Sequence, residues 1–574
     1  MLYYKISYQW PTQHWLDLEL TVNDTTTDTT HLQLPAWRPG RYELGNFAKN
    51  IRKFHVTDEQ GAPLPYQKVA KDRWEIDTSE VNAFVVKYDY YAGELNAGST
   101  WLDEEQLYIN FVNCTLYVEG RQEEAYRLHL DLPKDYQIAC GLSQPKKHVL
   151  EAPSFYHLAE SPMIASADLT HWDYEVQGHR FHLWFQGDCP LDEVQTLEKF
   201  AAFTREQMNT LKGFPTEEYH FLFHFLPYRA YHGVEHFNST VIALGPSSQI
   251  TEQSSLYYEF LGVSSHELFH TWNIIRIRPL EMMPYDYTRE NYFPTGFVAE
   301  GVTTYYGDLF LVRSGVFTKE DYFLELNKLF KRHFDNFGRF NHSLVDSSYD
   351  LWLDGYTPGV PDRKVSIYVK GALVSLLLDL ELRQVTGGEQ SLDTFVRYLW
   401  DFFGKKQCGY TIPDLQKLVN DLSGHQIQDF FERFITGKEP LETRLDELLH
   451  TVGCKLVGQP SAFPTERYFG FRAGSGDSHP VIQKIAPDSP AARVLSLNDQ
   501  VVAIEGIAPV DGSPAPFFVT DQTLTLTVLR QQRLKTVTLQ ANEEEYFPVY
   551  VIRQRVNATF EEQETFKNWL GCEW

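Results

Sequence analysis

The stretch SSHELFHTWN, residues 264–273, decides how the chain is read. It sets His266, Glu267 and His270 within a single turn or so of backbone. On a helix, residues four apart differ by only about 40° around the axis, so the two imidazoles face one way, one turn apart. Glu267 lies about 100° round from His266, beside any ion the imidazoles share rather than on it. From there a carboxylate can take a proton from water at that ion. With 20 histidines in the chain, chance alone supplies such a pattern only about 0.05 times. The stretch therefore predicts a helix with a metal held on one face. Zinc in a tetrahedral catalytic site needs a third protein ligand, with the fourth place open. Glu290 and Glu300 are the candidates downstream. Glu290 falls in a polar, proline-ended loop, DYTRENYFPT (286–295), and Glu300 in the helical VAEGVTTYYGDL (298–309). A ligand belongs on a rigid element, which favours Glu300.

Around this centre the pattern is helical from 251 to about 445. The first helix spans Thr251 to Asn273, with Ser254 or Ser255 as its cap. PTGFVAEGVTTYYGDLFLVRSG (294–315) is the second and VSIYVKGALVSLLLDLELRQVTGG (365–388) a long buried third. Shorter helices follow at 391–404, 412–424 and 425–437, each ending at glycine, as helix C-termini often do. Upstream, HRFHLWFQG (179–187), YHFLFHFL (219–226) and GVEHFNSTVIALG (233–245) read as strands, with a helix over 191–214. The first 170 or so residues are short alternating runs such as YKISYQW and FVVKYDYYA, the signature of an antiparallel β-sandwich. Within it, WRPGRYELGNF (37–47) reads as a tight turn serving sandwich packing. After 455 the strand pattern returns. The expected organisation is a multidomain α+β chain: a β-sandwich at 1–172, a mainly helical catalytic domain at 173–450, a small β domain at 455–545 and a tail at 546–574.

Composition limits the function. The 574 residues exceed one compact core, and 43% hydrophobic content is that of a folded chain. The formal charge, 51 − 77 = −26, argues against nucleic acid or an anionic membrane as the main partner. No run approaches a membrane span, and MLYYKISYQW begins as a strand rather than a signal peptide, so a cytoplasmic location is expected. The six cysteines form no CxxC pair, which fits a reduced interior.

HELFHTWN followed by AEGVTTYY resembles the glycyl aminopeptidase family of zinc peptidases, gluzincins with a thermolysin-like catalytic domain and an appended PDZ domain. PAWRPGRYELGNFAKNI is similar to the family's N-terminal β domain, HGVEHFNST to its glycine-x-Glu-His pattern, and VSIYVKGALVSLLLDLELR to its Tyr-x-Lys-Gly helix; GKEPL after the last helix is also similar. The resemblance implies one zinc per chain on His266, His270 and Glu300, with Glu267 as general base. It implies Glu235, with Gly233 in the same segment, for binding a substrate's free amino group, and Tyr368 for the oxyanion. Peptides with a free N-terminus, chiefly Gly or Ala, are the implied substrates. The family pattern usually has two glycines before x-Glu-His; His232 stands at the first, which bears on substrate preference. RYFGFRAG (467–474) resembles the carboxylate-binding loop of PDZ domains, which implies peptide C-termini as ligands. The segment expected to form the groove helix, DGSPAPFFVT (511–520), holds Pro514 and Pro516, leaving room for little helix, so a structural or gating role stands equal to capture. Two other readings compete: an HExxH endopeptidase, and a non-catalytic PDZ-bearing peptide-binding protein with an idle zinc site.

Overall fold

The computed structural model describes residues 1–357, 359–508 and 522–574. The N-terminal part is built from β-sheets. In Leu2–Ser7 the alternation is literal: Leu2, Tyr4 and Ile6 are buried while Tyr3 and Lys5 are exposed. That strand pairs antiparallel with Trp15–Val22 in register Tyr4↔Leu20, and Trp15–Val22 pairs with Phe84–Tyr91. The purely antiparallel sandwich expected here is not what forms. Leu2–Ser7 also pairs in parallel with Tyr126–Leu130, and two further four-stranded sheets complete the layer. A parallel pair needs a long crossover, and residues 8–125 supply it.

The core of this part does not stop at its own strands. It takes in Ile274, Tyr285, Tyr287, Ala299, Trp352 and Ile367 from the helical body. Trp37 is the joint. Its ring meets Trp352 edge-on at 5.0 Å, and its indole N–H donates to the Asp286 carbonyl at 2.8 Å.

The next unit is a five-stranded sheet, with Ala230–Glu235 at its edge beside Ser239–Gly245. GVEHFNSTVIALG, expected as one strand, is this antiparallel hairpin, with Glu235 opposite Thr240. Three helices then frame the site. α1 is Ser255–Phe269, with the Ser254 hydroxyl accepting from the Tyr257 N–H at 3.1 Å. α2 is a π turn, Phe297–Val302, running into Thr303–Arg313. α3 is Val369–Val385, with Tyr368 at its N-cap rather than inside it. The amphipathic helix Lys319–Phe334, not among those expected, begins at a capping box of Thr318 and Asp321.

The small C-terminal sheet has five strands between Phe471 and Gln540 and its own apolar core. It is tied to the helical body through Arg472, which pairs with Asp335 and Glu466, each at 2.6 Å. Cys454–Gln459 is not part of it. That strand pairs with Val549–Gln554, and the helix Phe560–Leu570 packs into the helical core, so the expected tail is an integral element. Trp569 donates from its indole nitrogen to the Tyr305 hydroxyl at 2.9 Å, and Arg313 donates to the Trp569 carbonyl at 2.9 Å. The expected groove segment, 511–520, lies outside the described residues. Among the described residues no helix is long and apolar enough to cross a membrane.

Candidate metal centre

α1 carries His266 in its last turn and His270 one turn on at its C-cap, and both face α2. The two helices approach closely because position 307 is glycine: a Cβ there would lie 3.2 Å from the His266 Cβ. Ser265 fastens the crossing by donating its hydroxyl to the Gly307 carbonyl at 2.7 Å. Glu300 sits in the π turn at the start of α2, a local widening that recurs at functional sites. His266, His270 and Glu300 bring their ligand atoms within 4.8 Å of one another. The Nε2 atoms of the two imidazoles are 3.0 Å apart, and Glu300 Oε2 lies 3.5 Å from His270 Nε2 and 3.9 Å from His266 Nε2. Donors on a tetrahedral zinc stand about 3.3 Å apart, so the set matches in size.

The proton arrangement also fits. His270 Nδ1 faces the Asn273 carbonyl at 2.7 Å. A carbonyl only accepts, so Nδ1 carries a proton, and Nε2, which faces His266 and Glu300, is the nitrogen left for a metal once its own proton is released. Asn273 is itself held by its amide, which donates to the Val298 carbonyl at 2.8 Å and the Thr303 hydroxyl at 3.0 Å. The residue stands in the opening motif, yet only the folded chain shows its work. Two facing imidazole nitrogens beside a buried carboxylate are a donor set that a divalent cation satisfies. His266 keeps 19% of its side chain exposed against 2% for His270 and 3% for Glu300, so the centre opens on the His266 side.

Glu267 lies off the donor set. Its Oε2 is buried without a hydrogen-bond partner, and its other oxygen faces Gly233, where a Cβ would come within 2.2 Å. Glu235, Glu267 and His270 also gather within 4.8 Å. Burial drives the Glu267 carboxyl well above its usual range, with Glu235 and Glu300 adding to the rise. Burial lowers His270, but the carboxylates Glu235, Glu300 and Glu267 outweigh it and push the imidazole up to about 10. So many carboxylates around one imidazole mark a pocket that attracts cations.

Glu235 is buried on the edge strand. The turn of WRPGRYELGNF reaches it: a Cβ on Gly40, which has φ +76°, would lie 2.8 Å from Glu235 Oε2. That segment, expected to serve only sandwich packing, therefore forms part of the site wall. Arg38 in the same turn is buried and raises the positive potential felt by Glu235. By strand alternation His232 leaves the strand on the face opposite Gly233 and Glu235, and burial, with Arg38 and Arg41 nearby, lowers its imidazole to about 3. Tyr368 stands at the N-cap of α3, where burial pushes its phenol well above the usual range and the Glu300 carboxylate adds to the rise. Glu290 is partly exposed and outside the donor set.

A second set of donors, His182, Glu218 and His220, is similarly close, but its protons are arranged otherwise. The Trp184 indole N–H donates to His220 Nδ1 at 3.2 Å, which leaves the proton of neutral His220 on the nitrogen facing Glu218.

Residues 3–167 match the model of the peptidase M61 N-terminal domain, and residues 259–374 match that of the M61 glycyl aminopeptidase. Both matched models are those of the M61 peptidase family. The M61 chain is accordingly a metallo-aminopeptidase, a hydrolase. Its fold is similar to that of an aminopeptidase N family protein from Idiomarina loihiensis, at 26% identity and TM-score 0.91 over 99% of this chain and 100% of that one. An M1 zinc metallopeptidase from Deinococcus radiodurans aligns at 14% identity and TM-score 0.48, over 76% of this chain and 93% of that one. No curated protein matches the M61 chain.

Proposed function

We propose that this M61 enzyme removes the first residue from peptides with a free N-terminus, using one zinc per chain held by His266, His270 and Glu300. The observation that carries this is the gathering of Glu235 and Glu267 around His270, the buried ligand. When bound, the metal supplies Lewis-acid polarisation of the scissile carbonyl and a more acidic water. Glu267 takes the proton from the attacking water and later delivers it to the leaving amine. The Tyr368 hydroxyl donates to the carbonyl oxygen as negative charge builds there. Glu235 binds the substrate ammonium and, at the closed end of the edge strand, leaves no room for a longer N-terminal extension. A preference for Gly and Ala accords with the name of the matched family, and aminoacyl substrates of graded size measure it. The five-stranded C-terminal sheet, whose strands lie between Phe471 and Gln540, is the PDZ-like unit in this reading and serves as an accessory to the catalytic domain at 173–450.

The test is Glu267→Ala. Metal content is expected to stay at wild-type level while turnover falls by about 10²–10⁴-fold. Undiminished turnover would remove Glu267 from the mechanism. An N-acetylated peptide separates the exopeptidase from an endopeptidase, because the latter would cleave it as readily as the free peptide.

A further inference from the structure

A cavity of about 350 Å³ in the N-terminal β part is lined by Arg38, Arg41 and Lys49, together with Glu94, Ser99 and Thr100. Its cations are not alike. Lys49 is exposed to solvent. Arg41 is engaged: its Nε donates to the Glu43 carboxylate, and its guanidinium lies over the Tyr356 ring, 4.7 Å from the centroid. Arg38 differs from both. Only 5% of the residue is exposed. Its Nη1 donates to the Pro39 carbonyl at 3.1 Å, and among the described residues no carboxylate pairs with it. A guanidinium keeps its charge and presents a planar fork of donors. Burying such a charge without a counter-ion is costly. The neighbouring loop is shaped to the group: a Cβ on Gly98 would run into the guanidinium, so glycine alone lets the loop lie against it.

The unspent donors indicate what the cavity takes. A guanidinium fork matches a carboxylate, with two parallel N–H bonds. Glu94 has one oxygen taken by the Asn96 amide at 2.7 Å, and the other has no partner among the described residues, which leaves it for an ammonium. A carboxylate and an ammonium on one small frame make an α-amino acid, and a cavity of this size is at the lower end of those that hold small molecules. We propose that this cavity binds a free α-amino acid, with its carboxylate on Arg38 and its ammonium on Glu94. None of the lining residues belongs to the metal centre. The two sites share a wall, because Gly40, between Arg38 and Arg41, abuts Glu235. An amino acid is also what the proposed reaction releases. Binding here goes beyond the peptidase reading, and only the source of the ligand rests on it.

The experiment uses the full-length, metal-loaded enzyme with its metal centre filled by a phosphinic peptide mimic, so that an amino acid cannot report from there. Glycine, glycinamide and inorganic phosphate are titrated by calorimetry into wild type, Arg38→Met and Glu94→Gln. Glycine should bind the wild type, at least about tenfold more weakly in Arg38→Met, as for the loss of a hydrogen bond to a charged group, and about threefold more weakly in Glu94→Gln, as for an exposed ion pair. Glycinamide keeps the ammonium and lacks the carboxylate, so it should bind the wild type at least about tenfold more weakly than glycine. Metal content and thermal midpoint certify folding. Should Arg38→Met fail to fold, the contrast of glycine with glycinamide on the wild type and the exposed Glu94→Gln still decide. No binding of glycine, equal affinity for glycinamide, unaltered binding in either variant, or phosphate bound in glycine's place would each overturn the proposal. A mimic that fails to bind would strike the peptidase reading instead, and the titration without it still reads the Arg38 difference.

Discussion

Gly233 shows how one missing methyl group can decide a reaction. A Cβ there would meet the Glu267 carboxylate at 2.2 Å, and the Val263 side chain at 3.0 Å. The carboxylate is the far end of a flexible side chain, so Gly233→Ala is expected to fold and to keep its metal. Glu267, proposed above as the general base, must swing aside instead, and proton transfer tolerates little displacement. A kcat lower by about 10- to 100-fold is expected, measured as turnover per bound metal. Wild-type turnover would mean that Glu267 works from another position. In the sequence this glycine was visible only through its place before Glu235. The space it leaves for Glu267 belongs to a different element, some thirty residues on.

At the scale of elements, the site depends on how closely α2 and α3 approach. A Cβ on Gly301 would lie 2.5 Å from the Gly371 Cα, and one on Gly371 would lie 2.8 Å from the Gly301 Cα. Here backbone meets backbone, with nothing flexible to yield. Gly371→Ala must therefore part the π turn from α3. The expected cost is about 1–3 kcal/mol of stability, as for other overpacked contacts, read by denaturant unfolding. Because Glu300 adjoins Gly301, the same variant should bind metal more weakly, read by competition with a chelator. The Tyr-x-Lys-Gly helix was recognisable in the sequence, and this contact is the physical reason for its glycine. The π turn was not recognisable, since residues 294–315 carry a helical pattern without a mark for the extra residue that aims Glu300.

For the molecule as a whole, the parts share one interior. Glu160 lies where the N-terminal sheets meet the helical body, with both carboxyl oxygens buried and unpartnered. Burial pushes its carboxyl up to about 8, Glu235 adds to the rise, and Arg278 and Arg38 oppose it. In the unfolded chain the group releases its proton near the ordinary glutamate value of about 4.3. Between that value and 8 the folded state holds a proton that the unfolded state has lost, so stability falls as pH rises through the window. The slope from this group is at most about 1.4 kcal/mol per pH unit. Glu160→Gln cannot ionise, so its stability should fall less between pH 5 and pH 8 than that of the wild type. Thermal midpoints of both proteins at the two pH values decide it, and equal falls would exclude Glu160 as the source.

The sequence by itself determined the helix that ends at His266 and His270 and the face these two share, because four-residue spacing fixes a shared face whatever lies around it. It also marked Glu300 over Glu290 through helical context, and it separated the strand-rich ends from the helical middle through periodicity. Tertiary structure alone decided what depends on distant segments meeting. It set the Gly40 turn against Glu235, the Asn273 amide on the Val298 carbonyl, the Tyr42 amide on Tyr356 and the C-terminal helix on α2. Local pattern reports which way a side chain faces on its own element. It carries no record of which remote backbone amide, carbonyl or missing Cβ will stand opposite.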